Sequence, residues 1–301
     1  MWHCRVVPPA DWASLAAPLH HWNQRADGRV RCLHAEQGAT VEQQAASMCA
    51  LAPDEAVFVA AHGGPDGASI DGIAGATVDA VAGRAWVWAP LVRDDHDAQP
   101  LRLVLIDALR GALPHVRRFD AFPQADEAPL LRALEAAGFK HVQHHRVMSL
   151  LAADCPTASD VSIVDATATH PVLADLPALH DELFPQTYLP GAAVGASLDD
   201  AHRLFVAAEG GRLLGYVYVQ HQRVEGEGYV DYLGVAEAAR GRGLGRALLA
   251  AAARWALLER RLPRVHLTVR QDKPAALRLY EAAGFREVAA GAQLMWQRRA
   301  A

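Results

Sequence analysis

The apolar pattern of the chain changes period repeatedly, and each change marks an element. From Gly228 to Val235 apolar and aromatic residues run almost unbroken, as in a buried strand. A polar turn follows, and Gly241, Gly243 and Gly245 lead into a segment in which Leu244, Leu248, Ala251, Trp255, Leu258 and Leu262 recur every three or four positions. That spacing predicts one stripe of a helix beginning at the glycines. Val265, Leu267 and Val269 then alternate with His266, Thr268 and Arg270, the period of a half-buried strand. Pro274 suits a first helical turn and Gly284 a C-terminal cap, so a second helix is expected between them, with a strand from Phe285. Upstream, the pattern gives a helix from Leu173 to Leu183 and strands from Leu204 to Ala208 and Leu213 to Gln220.

The first half repeats this order. Helices are expected from Trp12 to Asn23 and Val41 to Leu51, then strands from Ala56 to Ala61, Ile73 to Val81 and Ala85 to Val92, with a turn from Gly63 to Gly72. A helix from Leu101 to Leu113, a strand from Val116 to Ala121 and a helix from Ala128 to Ala137 complete it. The stretch Leu134-Glu135-Ala136-Ala137-Gly138-Phe139 aligns with Tyr280-Glu281-Ala282-Ala283-Gly284-Phe285, and Arg132 then falls on Arg278. A chain of 301 residues has room for two domains of this kind. The expected division is 1–152 and 160–301, with a linker at Ala152 to Asp160, where Asp154, Cys155, Pro156, Thr157 and Ser159 break every period.

The glycine turn carries the first chemical signal. A helix that starts there presents unpaired N–H groups and the positive end of its dipole, glycines admit a bulky ligand, and Arg240, Arg242 and Arg246 add positive charge. The same letters also suit a tight turn. A Walker loop would need Gly-Lys-Ser/Thr and a dinucleotide fingerprint would need G-x-G-x-x-G on the strand end, and neither is present. A carboxylate, Asp231, interrupts the apolar strand, where it is costly without a partner or a task. If the strand is unbulged, Asp231 shares a face with Tyr229 and Leu233; a bulge would change that.

Two motifs together carry a family resemblance. Arg240-x-x-Gly243-x-Gly245 resembles the acyl-CoA pyrophosphate loop of the GNAT N-acetyltransferases, and Ala276, Leu279, Tyr280, Gly284 and Phe285 match a second segment of that family. Lys273 stands where the family has asparagine, and the resemblance covers roughly Val161 to Arg298. It implies an α/β (α+β) chain of two tandem GNAT folds, each a mixed, mainly antiparallel sheet flanked by helices. It also implies acetyl-CoA as acyl donor and no metal. Arg240, Gly241, Arg242, Gly243, Leu244, Gly245 and Arg246 would cradle the pyrophosphate. Splayed strands would free the backbone of Leu233, Gly234 and Val235 for the pantetheine arm and thioester oxygen. Tyr280 would be the general acid, although a lone helical tyrosine also reads as a core aromatic, and Asp231 would be the base, directly or through a water, with Glu225 and Glu227 behind it. The acceptor would lie against the loop bearing Tyr188, with Glu182 and Asp181 as further candidates.

By the same alignment the first half is degenerate. Its loop Arg93 to Pro100 has no glycine and three aspartates, and Leu134 replaces Tyr280, so it is expected to bind no CoA.

Composition narrows the partners. A net charge of −5 gives no global field for nucleic acid or an anionic membrane, and 51% hydrophobic with 21% charged residues describes an ordinary globular protein. No apolar run approaches the ~20 residues of a membrane span, and the N-terminal MWHCRVVPP lacks a signal-peptide core, so a cytoplasmic monomer or homodimer is expected. The 4 cysteines are scattered and read as free thiols, and the pairs His20-His21 and His144-His145 diverge too much to share a metal. The expected reaction is transfer of an acetyl group to a primary amine of a small molecule or peptide, by direct attack in a ternary complex. Small amines, antibiotics, amino acids, peptides and a thiol-sugar precursor all remain open as acceptors. A non-catalytic acyl-CoA-binding or regulatory module is the rival reading. An aminoacyl-tRNA-dependent transferase is disfavoured by the acidic balance.

Overall fold

The structure is a computed structural model describing residues 2–35, 40–63, 69–93, 98–166, 169–185, 187–223 and 225–299. It forms two compact units, one of residues 1–145 with 289–301 and one of residues 146–288. In chain order the elements are β1 (His3–Val6), α1 (Ala16–Asn23), α2 (Val41–Ala50), β2 (Ala56–Gly63), β3 (Ser69–Asp79), β4 (Arg84–Val92), α3 (Gln99–Ala112), β5 (Arg118–Ala121), α4 (Ala128–Ala136) and β6 (Lys140–Leu151). They continue with β7 (Val164–Ala166), α5 (Leu176–Leu183), α6 (Gly191–Ala196), β8 (His202–Glu209), β9 (Arg212–Gln222), β10 (Glu227–Val235), α7 (Leu244–Arg254), β11 (Arg264–Arg270), α8 (Pro274–Ala282) and β12 (Arg286–Gln297).

In the first unit the strands lie in the order β1-β2-β3-β4-β5-β12, antiparallel except for β4 beside β5. Its core runs from Trp12 and Phe58 through Trp88, Leu105 and Phe119 to Leu134, all at most 2% exposed. The expected helix from Trp12 to Asn23 is divided: Pro9 opens a 3-10 turn over Pro9–Leu15, and α1 follows. The N-terminal strand β1 carries no alternation that the sequence pattern reveals. The expected turn from Gly63 to Gly72 is shorter, since β2 and β3 pair as far as Gly63 with Ser69, and residues 64–68 lie outside the described residues. So do Asp94, Asp95, His96 and Asp97, the acidic stretch of the first half.

In the second unit the order is β11-β10-β9-β8-β7, antiparallel except for β10 beside β11. Leu248, Leu249, Ala252 and Trp255 of the long helical segment pack with Val217, Val219 and Val230, all at most 4% exposed. On a separate cluster, Leu176 and Val194 pack with Tyr216, Tyr218 and Tyr232. The expected stripe fails at Leu258, which is 47% exposed. A π turn at Trp255–Glu259 inserts a residue after α7, rotating Leu258 outward and bringing Leu257 in.

The units do not follow the expected division at residues 152 to 160. The last strand joins the first unit, with Leu294 opposite Ala121 and Gln297 opposite Arg118, while Met148 and Leu150 of β6 are buried in the core of the second. Periodicity predicts a strand but not the partner that completes its hydrogen bonds.

The repeat is confirmed in the backbone. Phe139 N–H bonds Leu134 C=O and Gly138 N–H bonds Glu135 C=O, just as Phe285 bonds Tyr280 and Gly284 bonds Glu281. Each pair is a Schellman cap, closed by a glycine at φ +87 and +95.

Candidate active site

The site of the second unit begins where two strands part. β10 and β11 pair from Gly228 with Val265 only as far as Val230 with Leu267, while β10 runs on to Val235 against β9. Beyond Val230 one edge of β10 therefore has no β11 partner among the described residues. The backbone of Leu233, Gly234 and Val235 lies on this stretch. Gly234 is glycine for a packing reason, since a Cβ there would sit 2.6 Å from Leu183 Cδ1.

A bulge marks the same point. Val230 faces Val219 and Tyr232 faces Tyr218, leaving Asp231 as the extra residue. Val230 and Leu233, three apart, therefore join one cluster while Tyr232 joins the other. The unbulged count, which put Asp231 on one face with Tyr229 and Leu233, does not hold across this irregularity.

The bulge sets Asp231 among phenols. Tyr188, from the loop after α5, donates its hydroxyl to Asp231 Oδ2, and Gln220 Nε2 donates to the same oxygen at 2.8 Å. That loop is fixed at several points. His180, fully buried, bonds Tyr216 Oη through Nδ1 at 2.6 Å and Leu189 O through Nε2 at 2.9 Å. Thr187 Oγ1 bonds Tyr232 Oη at 2.7 Å, and Asp181 accepts from Gly191 N–H at 3.0 Å. Tyr232 in turn packs edge-on to Phe184 and His180, at 5.1 and 4.6 Å.

Burial raises the Asp231 carboxyl from 3.8 to about 6, against the opposing effect of the Tyr188 and Gln220 hydrogen bonds and the His202 charge. It is thus ionised at neutral pH yet close enough to take up a proton. Burial also pushes the Tyr280 phenol up to about 12, so it keeps its proton. Tyr280 is 9% exposed, and its hydroxyl has no hydrogen-bond partner among the described residues. Burial also raises the phenol of Tyr229, two residues before Asp231 on β10.

The glycine loop closes the arrangement. Gly241 and Gly243 both stand at φ +78, in the left-handed region, with nothing within 4 Å of an added Cβ. Gly243 is the N-cap of α7 and offers no side chain to its first turn, so those N–H groups face outward over open space. Arg240 and Arg246 are exposed beside them. A pyrophosphate-sized anion fits such a place. Gly245 is closer packed, a Cβ there lying 3.4 Å from Leu279 Cδ2. Leu244 turns its side chain into the core at 7% exposure and can offer only backbone.

Other candidates are held elsewhere. The Arg242 guanidinium is paired with Glu209 through bonds of 3.2 and 3.1 Å. Glu227 is bound to Arg264 at 2.5 Å, which withdraws it from the base position. Glu182 is exposed on α5, with no ion pair or hydrogen bond to a described residue. The sequence reading missed Gln220, His180, Thr187 and the tyrosines at 216, 218 and 232. The alternation Tyr216, Tyr218, Gln220 on one strand is a signal for a shared face, but only the register shows that it meets Asp231.

The first unit repeats the scaffold with different residues at the matched positions. β4 and β5 pair from Arg84 with Arg118 to Val87 with Ala121, and β4 runs on to Val92 against β3. Val92 faces Gly72 as Val235 faces Gly215, and Val87 faces Ala76 as Val230 faces Val219. Trp88, 2% exposed, faces Gly75 as Tyr232 faces Tyr218, so it holds the place of Tyr232, and the irregularity of β4 falls after it, between Trp88 and Leu91. Ala98, at φ −76, caps α3 where Gly243 caps α7. Leu134, fully buried, replaces Tyr280. Beside Pro90, Leu91 and Val92, Arg102 and Glu127 line a cavity of only about 10 Å³, room for about one water.

Comparison with known proteins agrees with this geometry. Residues 171–285 match the sequence model of the acetyltransferase (GNAT) family. This part of the chain is a GNAT domain. The family supports acyl transfer as its general chemistry. Among solved structures, a GCN5-related N-acetyltransferase from Sphaerobacter thermophilus is 22% identical, with a TM-score of 0.72 over 99% of this chain and 96% of that one. A tandem GNAT protein from the clavulanic acid biosynthesis pathway is 15% identical, with a TM-score of 0.66 over 100% of both chains. A GCN5-related N-acetyltransferase from Kribbella flavida is 15% identical, with a TM-score of 0.59 over 77% of this chain and 89% of that one. At these identities the likeness establishes the fold, two GNAT folds in tandem. No curated protein sequence matches the chain. No helix among the described residues is long and apolar enough to cross a membrane, and none of their His, Cys, Asp and Glu side chains form a metal-binding group of three.

Proposed function

We propose that the second unit transfers an acetyl group from acetyl-CoA to a primary amine by direct attack within a ternary complex. The observation that carries this reading is the position of Asp231, bulged out of β10 where that strand leaves β11. The backbone of Gly241, Gly243 and the first turn of α7, with Arg240 and Arg246, would hold the pyrophosphate. The backbone of Leu233, Gly234 and Val235, on the edge that β11 leaves, would hold the pantetheine arm and the thioester oxygen, with Arg240 Nε donating to the Val235 carbonyl at 3.3 Å. When bound, the donor supplies an activated acyl carbon and a thiolate leaving group.

Asp231 accepts the proton from the amine, directly or through a water, and so leaves the nitrogen lone pair free. Carbon–nitrogen bond formation and carbon–sulfur cleavage follow, and Tyr280 returns a proton to the departing sulfur. Asp231 is ionised above about pH 6 and Tyr280 protonated below about 12, so both stand in the required states across the neutral range. A purely regulatory acyl-CoA-binding module needs neither group. The direct test is a panel of amines with acetyl-CoA, following free thiol. Amine-dependent release supports the reading, and none above the background hydrolysis refutes it.

A further inference from the structure

The charges around Asp231 bear on what the amine is attached to. Asp181, Asp199 and His202 lie close enough to bear on Asp231 and the tyrosines packed with it. His202 Nδ1 is bonded to Asp199 Oδ1 at 2.7 Å, which matches it to a carboxylate. Among the described residues no arginine or lysine is bonded to Asp231, Tyr188, Gln220 or Tyr232. The nearby strands' guanidiniums are engaged elsewhere: Arg203 with Asp165 at 3.8 Å, Arg223 and Arg260 with Asp200 at 3.5 and 3.0 Å, Arg264 with Glu227.

The donors already present say the same. Tyr188 and Gln220 both give uncharged hydrogen bonds to Oδ2, whereas Oδ1 receives none from a described residue. An ammonium placed at Oδ1 would complete the carboxylate's bonding. An anionic group on the carbon next to that ammonium would meet a negative field with no guanidinium to receive it, and its desolvation would be uncompensated.

Resting on the transferase reading above, we infer that the acceptor is an amine whose neighbouring carbon carries no carboxylate or phosphate: an aliphatic or arylalkyl amine, an amino sugar or a peptide amide, not a free α-amino acid. Amino acids, left open by the sequence, are thereby excluded as preferred acceptors.

The test compares tyramine, tyrosinamide and tyrosine, and histamine with histidine, as acceptors for the full-length chain with acetyl-CoA. Tyramine, tyrosinamide and histamine should exceed their carboxylated counterparts in kcat/KM by at least about tenfold, a change of about 1.4 kcal/mol in transition-state stability. Tyrosinamide isolates charge from bulk, since it fills the carboxylate's space without its charge. In Gln220→Arg, which places a guanidinium beside Asp231, the ratio of tyramine to tyrosine should fall. The ratio is read within one protein and is insensitive to how much of it folds. Tyrosine and histidine turned over as well as their amines would overturn this inference while leaving the transferase reading intact. Silence of every amine tested would overturn both.

Discussion

Asp231→Asn separates stability from chemistry in one substitution. Asn keeps the shape and an oxygen that can accept from Tyr188 and Gln220, but it cannot take a proton at neutral pH. Loss of a general base lowers turnover by about 10²–10⁴-fold on the usual scale. Stability should move the other way. Burial raises the carboxyl from 3.8 to about 6, so folding favours its neutral form. The stabilising contribution of that neutral form is complete below about pH 4 and is lost as pH rises through about 6. Above that, the ionised group costs up to about 3 kcal/mol, taking about 1.4 kcal/mol for each pH unit between 3.8 and about 6. The neutral amide removes this cost. The variant should therefore unfold at higher urea or temperature than the parent at pH 7.5, with the difference vanishing near pH 4. Parent kcat/KM should rise with pH through about 6, and the variant's residual activity should lack that limb. Full turnover in the folded Asn variant would remove Asp231 from the mechanism. A variant less stable than the parent at pH 7.5 would show that the ionised carboxylate is held by its partners more strongly than its burial penalises it.

Three further outcomes are expected. Gly243→Asp places a carboxylate where the anion would lie, at a φ of +78 that aspartate tolerates poorly, so calorimetry should find acetyl-CoA binding abolished; unchanged affinity in the folded variant would exclude the loop. Tyr280→Phe keeps the packing against Phe285, with ring centroids 6.0 Å apart, but loses the proton, so kcat should fall by about 10²–10⁴-fold with CoA affinity little changed; wild-type turnover would make Tyr280 a packing residue. Titration of the full chain should saturate at one acetyl-CoA, and a stoichiometry of two would give the first unit a donor site of its own.

What was legible in the sequence was whatever a local rule enforces. The two Schellman caps require glycine at φ +87 and +95, so Gly138 and Gly284 announce both the helix ends and the repeat. The loop at Gly241 and Gly243 was legible for the same reason. Illegible were features that depend on register or on distant partners. The bulge at Asp231 exists only as a count of β10 against β9, and it decides which cluster Tyr232 and Leu233 join. The π turn that exposes Leu258 leaves the spacing of letters unchanged. The exchange of β12 into the first unit is invisible because a strand's alternation is the same beside any neighbour. Likewise, Arg242 and Glu182 looked equivalent to their neighbours by type, and only the geometry gave one to Glu209 and left the other exposed.

The contrast between the units bears on what the first one keeps. The residues at its matched positions are ones that pack. Trp88, in the place of Tyr232, lies edge-on to Phe58 at 5.1 Å, and Phe58 in turn meets Trp12 at 5.2 Å, so this stretch of the strand has become the centre of a core. Introducing an acid by Trp88→Asp would forfeit about 3–5 kcal/mol of aromatic packing and bury a carboxylate among apolar side chains. Such a change would consume a large part of a typical folding stability of about 5–15 kcal/mol. Restoring Tyr at Leu134 would force a larger ring into a fully buried site. The splayed strands of the first unit therefore persist as architecture, fixed by the hydrophobic residues that filled them, and on the proposed function the acyl transfer belongs to the unit in which the bulge, the glycine turn and Tyr280 occur together.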